Sequence, residues 1–278
     1  MIIIADSSST RTEWVLVDGN KVVEKATTGG MNPYFQTRRE ISHSIRLELP
    51  DLFFKKRWEH VYYYGAGCSN PEKCKIMESS LVAQFKTPVT VESDLLGAAR
   101  GLLVRRPGLA CIIGTGSNSC IYDGEKIVKN IRPLGYVLGD EGSGAYIGKR
   151  FIADCLKGLA PVALTEEFIS EYSIEMESVL DEIYIHALAS VLLSSYSNFL
   201  LKHLDDDYVR TLVYDSFIDF FRRNIAAYDY KNHPVSFVGS VACNFSEILR
   251  EAARDFNIEV LKIAQSSMPG LVEYHTTD

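Results

Sequence analysis

Short apolar runs alternate with longer stretches of helical spacing along the chain. In the first third, β-branched and aromatic runs predict strands, and stretches whose apolar residues recur every three to four positions predict helices. The predicted strands are residues 2–5, 14–17, 21–27, 60–64 and 89–92, and the predicted helices are residues 37–49, 71–85 and 95–104. Strands that alternate with helices in this way are typical of an α/β protein.

The same pattern begins again in the middle of the chain. Residues 110–113, 120–122 and 126–131 are predicted strands, and the turn Asp18-Gly19-Asn20 has a counterpart in Asp123-Gly124-Glu125. We interpret this similarity as an internal duplication. Because Arg105-Arg106-Pro107-Gly108 interrupts the pattern, we predict one domain over residues 1–107 and a second over residues 108–278.

The second half differs from the first by a long helical region. Residues 142–228 are mostly of helical character, with amphipathic stretches at 187–204 and 207–227. A strand at 235–238, a helix at 246–256 and a strand at 259–263 follow. The second domain is therefore predicted to carry a helical insertion.

Composition excludes several classes of protein. The 278 residues include 29 basic and 36 acidic ones, and the formal net charge of -7 makes nucleic acid an unexpected partner. No apolar run has the length of a secretory signal or a membrane span, so we expect a cytoplasmic protein without a membrane partner. The six cysteines form no CxxC pair, which argues against structural disulfides and a zinc site.

Two polar loops of small residues are candidates for binding an anion. Residues 6–12 offer hydroxyl groups and backbone N–H groups that could surround a phosphate, and Asp6 could hold Mg²⁺ directly or through water. A plain hairpin loop is the alternative. Residues 114–119 have the same composition, and two such loops facing each other would hold one polyphosphate from both sides.

Two further segments place carboxylates beside predicted strand or helix ends. Asp94 follows a strand and opens a helix, where a carboxylate either caps the helix or faces a cleft. Residues 135–144 contain four glycines together with Asp140 and Glu141, which suggests a ligand lying against the backbone. The chain has no GxxxxGK[ST] motif, so a nucleotide would be bound without a P-loop.

Taken in order, these loops resemble those of the BadF/BadG/BcrA/BcrD ATPase family. Within it they resemble the N-acetylglucosamine kinase branch, in the superfamily of actin, hexokinase and the heat-shock chaperone ATPases. Residues 6–12 and 114–119 resemble its two phosphate motifs, residues 139–143 its sugar motif and residues 239–242 its adenosine motif. The resemblance implies two ribonuclease-H-like domains around an ATP cleft.

The resemblance also implies a role for individual residues. It makes Asp94 the general base that takes a proton from the sugar 6-hydroxyl. The residues it places around the sugar are Asn32, Thr115, Asn118 and Asp140. The residues it places around ATP are Ser8, Ser9, Thr10, Arg11, Thr12, Gly114, Thr115, Gly116, Gly239 and Ser240. The chain departs from the family at Ser8, where the family usually has glycine, and we expect the extra Cβ to crowd the phosphates.

The implied activity is an ATP- and Mg²⁺-dependent kinase that phosphorylates the 6-hydroxyl of an amino sugar, with N-acetylglucosamine as the first expectation. Its partner would be a small-molecule sugar, and the helical insertion is where we would expect the contact of a homodimer.

Two alternatives stay open. An activator ATPase of the same family would hold an iron–sulfur cluster, but its two cysteine positions correspond to Ser93-Asp94 and residues 139–144, which contain no cysteine. A sugar or nucleotide sensor would keep the binding loops and lack the base.

Overall fold

The computed structural model describes residues 1–55, 57–175, 178–185 and 188–277, and the chain divides into two compact units. Unit 1 consists of Met1–Ala110, Tyr122–Val128 and Ser266–Asp278. Unit 2 consists of Cys111–Ile121 and Lys129–Gln265. Each unit is assembled from separate segments, and the domain boundary at residues 107 and 108 stays a prediction.

The described residues form ten strands and thirteen α-helices. The strands are β1 Ile2–Ser7, β2 Arg11–Asp18, β3 Lys21–Gly29, β4 His60–Gly65, β5 Val89–Ser93, β6 Gly108–Ile113, β7 Ser117–Tyr122, β8 Ile127–Ile131, β9 Val235–Val238 and β10 Val260–Ala264. The α-helices are α1 Arg38–Glu48, α2 Pro71–Phe85, α3 Asp94–Leu103, α4 Gly135–Leu138, α5 Gly144–Lys157, α6 Val162–Tyr172, α7 Val179–Ile185, α8 Ala189–Ser195, α9 Ser197–Leu201, α10 Asp207–Arg223, α11 Ser240–Asn244, α12 Ser246–Asp255 and α13 Met268–Thr276. Short 3-10 helices lie at Asp51–Phe54 and Ile225–Ala227.

The first sheet has the strand order β3-β2-β1-β4-β5. Strand β1 is antiparallel to β2 and parallel to β4, and β4 is parallel to β5. In this register Ser7 lies opposite Gly65, and Gly65 lies opposite Ser93. The carboxyl ends of β1, β4 and β5 therefore meet at one edge of the sheet.

Helices cover both faces of the first sheet. Ile3 and Ala5 of β1 belong to a core shared with α1 and α2, whereas Ile4 packs with Met268 and Leu271 of α13. Because successive side chains of a strand point to opposite faces, burial on both faces explains why β1 begins as an uninterrupted apolar run.

The second sheet has the order β10-β9-β6-β7-β8. Counted from its β8 edge, its strands follow the order third, second, first, fourth, fifth, as the strands of the first sheet do. The prediction of a two-domain α/β fold is confirmed, and the shared strand order supports the internal duplication.

The helical insertion differs in detail from the prediction. The amphipathic stretch 187–204 forms two short helices, α8 and α9, with Tyr196 between them, and residue 187 lies outside the described residues. The hydroxyl groups of Ser195 and Ser197 donate to the carbonyls of Leu192 and Ser194, at 2.6 and 2.7 Å. Such bonds from serine side chains compete with the helical backbone pattern, which is a physical reason for the interruption.

The structure also differs from the prediction at one loop and at one helix. The predicted polar loop 114–119 is shorter, since β7 already begins at Ser117. Helix α13 was not predicted at all, and it packs against α3 in unit 1, where a Cβ on Gly270 would lie 1.9 Å from the carbonyl oxygen of Gly101. Among the described helices, none combines the length and the apolar character that a membrane span requires.

Candidate functional site

The carboxyl edge of the first sheet carries two aspartates. Asp6 is the penultimate residue of β1, and Asp94 directly follows β5 as the first residue of α3. Desolvation raises the pKa of both carboxyl groups, and it raises that of Asp6 to about 6, with a further contribution from the negative charge of Asp94. Two desolvated carboxylates that repel each other favour a divalent cation between them or beside them.

A residue from the far end of the chain holds Asp6. The hydroxyl of Ser267 donates a hydrogen bond to Oδ2 of Asp6, and this bond partly offsets the rise in the Asp6 pKa. Its neighbour Ser266 donates to Oε2 of Glu13 at 2.5 Å. Sequence analysis missed Ser267, because no local pattern relates it to a residue 261 positions earlier.

The start of α3 fixes the Asp94 carboxylate. Ser93 is the N-cap residue, since its Oγ accepts a hydrogen bond from the backbone N–H of Leu96 at 3.2 Å. Oδ1 of Asp94 accepts from the N–H of Leu95 at 2.8 Å. Capping, the alternative role considered for Asp94, is thus performed mainly by Ser93, and the Asp94 carboxylate is oriented at the sheet edge.

The loop after β1 gathers donors around one oxygen. Oγ of Ser8 accepts hydrogen bonds from the backbone N–H groups of Thr10, at 3.2 Å, and Arg11, at 3.1 Å. Two N–H groups that converge on an oxygen in this way are suited to a phosphate oxygen. The loop therefore fits the phosphates of ATP, with the Ser8 hydroxyl now accepting the bonds that such an oxygen would accept.

Two residues, Thr12 and Gly30, pack next to this loop. Thr12 is completely buried, and its hydroxyl lies 2.7 Å from that of Ser7 and donates to the carbonyl of Gly29 at 3.0 Å. A Cβ on Gly30 would lie 2.4 Å from the carbonyl carbon of Ser9, so only glycine permits this close approach. Gly30 is therefore a structural residue of this loop, and the sequence analysis did not single it out.

Asn32 lies close to the end of β4, in unit 1. Its Oδ1 accepts a hydrogen bond from the N–H of Tyr34 at 3.0 Å, and a Cβ on Gly67 would lie 2.2 Å from the same oxygen. Because Gly67 closely follows β4, Asn32 belongs to the same sheet edge as Asp6 and Asp94. Unit 1 thus brings together the predicted base, the predicted metal ligand and one predicted sugar residue.

In unit 2, the loop after β6 is tied to the start of α5. Gly114 donates through its N–H to the carbonyl of Gly116 at 2.9 Å. Its own carbonyl accepts from Gly144 at 2.9 Å, and that of Thr115 accepts from Ala145 at 3.1 Å. The predicted second phosphate loop and the glycine-rich segment are therefore neighbours in space.

The turn after β9 also approaches this loop. Gly239 has a φ of 128°, and a Cβ there would lie 2.4 Å from the carbonyl oxygen of Ile113. Ser240 follows as the first residue of α11. The predicted adenosine turn and the predicted second phosphate loop are thus close together within unit 2.

Asp140 is a buried acidic residue of unit 2 with a left-handed backbone conformation. It is only 8% exposed, has a φ of 55°, and its Oδ2 would lie 3.0 Å from a Cβ on Gly116. Desolvation raises the Asp140 pKa to about 6, and the charge of Glu141 adds to this rise. A hydrogen bond from the backbone of Ser117 and the positive charge of Lys149 act in the opposite direction.

Glu141 is buried next to Asp140 and is paired with α10. It forms an ion pair with the Nε of Arg223, and its Oε2 accepts from Nδ2 of Asn224 at 3.3 Å. The sequence offered only the position of Glu141 in the glycine-rich segment, and its two partners lie far along the chain. The geometry gives Glu141 a structural partner and leaves Asp140 as the carboxylate next to the loop.

Asn118, the fourth predicted sugar residue, lies in β7. Its Oδ1 accepts from the N–H of Ser119 and from Nδ2 of Asn130, both at 2.9 Å. Thr115, Asn118 and Asp140 therefore all belong to unit 2, on or next to one loop.

The carboxylates of unit 1 fit a magnesium ion of the kind that accompanies ATP. In the part of the chain that the structure describes, no group of three His, Cys, Asp or Glu side chains could hold a metal by itself. Mg²⁺ in phosphoryl-transfer sites is commonly held by one or two carboxylates, with phosphate oxygens and water completing its shell. Asp6, with Asp94 near it, meets that requirement.

Comparison with known proteins relates the chain to sugar kinases. No family model and no curated protein matches it. A solved structure of a candidate N-acetylglucosamine kinase from Porphyromonas gingivalis is 39% identical over 100% of this chain and 99% of its own, with a TM-score of 0.95. A second, from Chromobacterium violaceum, is 18% identical over 98% of both chains, with a TM-score of 0.76.

A candidate N-acetylmannosamine kinase from Listeria monocytogenes is 14% identical over 98% of this chain and 97% of its own, with a TM-score of 0.54. The structures from Chromobacterium violaceum and Listeria monocytogenes establish the two-domain fold. The 39% identity to the structure from Porphyromonas gingivalis establishes membership of a family. The chain belongs to the N-acetylglucosamine kinase-like branch of the BadF/BadG ATPase family, which has the actin-like ATPase fold.

Proposed function

We propose that this protein is an ATP- and Mg²⁺-dependent kinase that phosphorylates the 6-hydroxyl of an amino sugar, with N-acetylglucosamine as its first substrate. One observation carries the proposal: two desolvated aspartates, Asp6 and Asp94, lie at the carboxyl edge of the first sheet. The 39% identity to a candidate N-acetylglucosamine kinase over the full chain supports the choice of sugar.

In this proposal the residues of unit 1 perform the chemistry. Asp94 accepts the proton of the attacking hydroxyl, and its raised pKa brings a carboxylate closer to the basicity that general base catalysis requires. Asp6 would hold Mg²⁺, and the bound ion would offset the negative charge on the phosphates. The N–H groups of Thr10 and Arg11 donate to a phosphate oxygen in place of the Ser8 hydroxyl.

The remaining binding residues divide between the units. Asp140 accepts a hydrogen bond from a sugar hydroxyl, and Asn118 and Thr115 lie beside it in unit 2. Asn32 adds an amide from unit 1. Backbone groups of the nucleotide segments complete the assignment, at Gly114, Gly116, Gly239 and Ser240.

The proposed reaction is a single in-line displacement. The sugar O6 forms a bond to the γ-phosphorus, and the bond from that phosphorus to the β–γ bridging oxygen breaks. ADP leaves with the electron pair of that bond, and the proton of the 6-hydroxyl passes to Asp94. Positioning and charge stabilisation supply most of the rate in such transfers.

Release of ADP tests the proposal. The purified protein with Mg·ATP is assayed alone and with N-acetylglucosamine, glucosamine, N-acetylmannosamine or glucose, and ³¹P NMR identifies the phosphorylated position. We expect sugar-dependent release and a 6-phosphate, fastest with N-acetylglucosamine. ADP release that ignores every sugar would instead support the activator ATPase, and sugar binding without ADP release would support the sensor.

A further inference from the structure

A polar network joins β7 and β8 around Asn118. Nδ2 of Asn130 donates to Oδ1 of Asn118 at 2.9 Å, to the carbonyl of Ser119 at 2.8 Å and to the carbonyl of Ile131 at 3.0 Å. The backbone N–H of Ser119 donates to the same Oδ1 of Asn118 at 2.9 Å. Asn118 thus receives two hydrogen bonds on one side-chain atom.

Backbone groups settle which way both amides point. The N–H of Ser119 can only donate, so the Asn118 atom that it meets must be the oxygen. The carbonyls of Ser119 and Ile131 can only accept, so the Asn130 atom that they meet must be the nitrogen. The network therefore determines the orientation of both side-chain amides.

One polar group of Asn118 is left for a ligand. Its Oδ1 is bonded to Ser119 and Asn130, whereas its Nδ2 makes no hydrogen bond to any residue that the structure describes. An amide NH₂ group can only donate. The Asn118 position therefore presents a donor, and Asp140, another predicted sugar residue next to the same loop, presents an acceptor.

We propose that Asn130 is a positioning residue that keeps the NH₂ group of Asn118 directed to the sugar, so that this position recognises a hydrogen-bond acceptor. The inference rests on the proposed function, because it takes Asn118 as a sugar-binding residue. A carbonyl oxygen, such as that of an acetamido group, satisfies the NH₂ group and cannot itself donate. An ammonium group has only donors, so it would be left unpaired there and would be disfavoured.

Two substitutions at Asn130 separate this role from a general structural one. Asn130→Ala removes one donor but leaves the Ser119 N–H on Oδ1, so we expect sugar affinity to fall by about 3- to 5-fold. Asn130→Asp places an acceptor against Oδ1 and favours a turned amide, so we expect a fall of roughly 30-fold or more. The kcat and the KM for ATP should stay within about twofold in both variants.

Tyr228→Phe is the matched control. The Tyr228 hydroxyl also joins these strands, since it donates to the carbonyl of Ser119 at 2.8 Å and accepts from the N–H of Ile131 at 2.8 Å, and its hydrogen bonds go to residues other than Asn118. We expect this variant to lower the Tm and to leave sugar affinity within about twofold. Sugar binding is measured by titration calorimetry with N-acetylglucosamine, which requires no turnover.

A second pair of variants tests the polarity directly. Asn118→Ala removes the donor, whereas Asn118→Asp replaces it with an acceptor while its other oxygen can still accept from Ser119 and Asn130. Weaker sugar binding by the aspartate variant than by the alanine variant is expected if the sugar presents an acceptor. This comparison of the two Asn118 variants also tests the proposal if the Asn130→Asp variant does not fold.

The inference is overturned if alanine at position 130 weakens binding as much as aspartate does, or if aspartate at position 118 binds sugar better than alanine. It is also overturned if the wild-type protein binds none of the four sugars. Sugar binding without sugar phosphorylation, by contrast, would overturn the proposed function and leave the recognition by Asn118 to be judged from the binding data.

Discussion

The two sheets of this protein share a strand order but carry different chemistry at corresponding positions. In unit 1 an aspartate lies at the end of β1 and another follows β5. In unit 2, the penultimate residue of β6 is Ile112 and Gln265 follows β10, so neither corresponding position carries a charge. The shared strand order therefore fixes where the strands end. The residue type at each strand end decides which unit carries the carboxylates.

The means of holding polar groups also differ between the units. In unit 1, side chains hold the carboxylate and the loop: Ser267 bonds Asp6, and the Ser8 hydroxyl gathers the N–H groups of its own loop. In unit 2, backbone groups hold the carboxylate and the loop. The N–H of Ser117 donates to Asp140, and the carbonyls of Gly114 and Thr115 accept from the start of α5. Because Asp6 and Asp94 lie in unit 1 and Asp140 lies in unit 2, substitution of the unit 1 aspartates should lower turnover, and substitution of Asp140 should weaken sugar binding.

The largest expected effect is that of Asp94→Asn. An amide cannot accept the hydroxyl proton as a base, so kcat should fall by about 10²–10⁴-fold while ATP binding stays nearly unchanged. Steady-state ADP release and nucleotide titration measure the two quantities. Glu92→Gln, on the preceding strand, is the control and should keep turnover close to that of wild type. Equal turnover in the Asp94 variant would remove Asp94 from the mechanism.

Asp140→Asn should show most clearly that the two units have different roles. Loss of a buried charged acceptor should raise the KM for the sugar by about 10- to 100-fold, because a hydrogen bond to a charged group is a strong one. The KM for ATP should change little. The two constants are obtained by varying each substrate in turn, and a larger effect on ATP than on sugar would contradict the division of roles.

The pH dependence of sugar binding should follow Asp140. Because the Asp140 pKa is raised to about 6, sugar affinity should fall about tenfold per pH unit below that value as the carboxylate becomes protonated. Calorimetry without ATP or Mg²⁺ separates this effect from nucleotide and metal binding, and the same titration of Asp94→Asn separates it from the protonation of Asp94. In Asp140→Asn the affinity should be lower but independent of pH across this range.

The same raised pKa has the opposite consequence for stability. Its folded value exceeds the ordinary 3.8, so ionisation of Asp140 costs stability as the pH rises through about 4 to 6, despite the opposing charge of Lys149. Asp140→Asn removes that cost, and we expect it to be more stable than wild type at pH 8 by about 1–3 kcal/mol. Urea unfolding at pH 8 and pH 4 should show the gain only at the higher pH.

The smallest expected effect is that of substituting Ser8 in the loop after β1. If the hydroxyl competes with phosphate for the N–H groups of Thr10 and Arg11, Ser8→Ala should tighten ATP binding by about 3- to 10-fold. If the Cβ is the obstacle, only Ser8→Gly should do so. ATP titration of the two variants distinguishes the two causes, and unchanged affinity in both would contradict either.

Much of the fold could be predicted from local pattern. Residues 71–85 were predicted as a helix and form α2 with the same bounds, because Asn70 caps its start, with Pro71 in its first turn, and Phe85 lies in its buried face. Helix α13 escaped prediction because its short apolar segment has a role only after it packs against α3 and β1. Local signals suffice where caps and periodicity agree, and they fail where burial is decided by distant segments.

By itself, the sequence determined the α/β class, the duplicated order of strands and the polar loops at strand ends, since each follows from residues close together in the chain. Only the tertiary structure decided that Ser267 holds Asp6, that Arg223 pairs with Glu141 and that Asn130 directs the amide of Asn118. Hydrogen bonds and ion pairs depend on distances of a few ångströms. Folding, and not proximity along the chain, sets those distances for residues that are far apart in sequence.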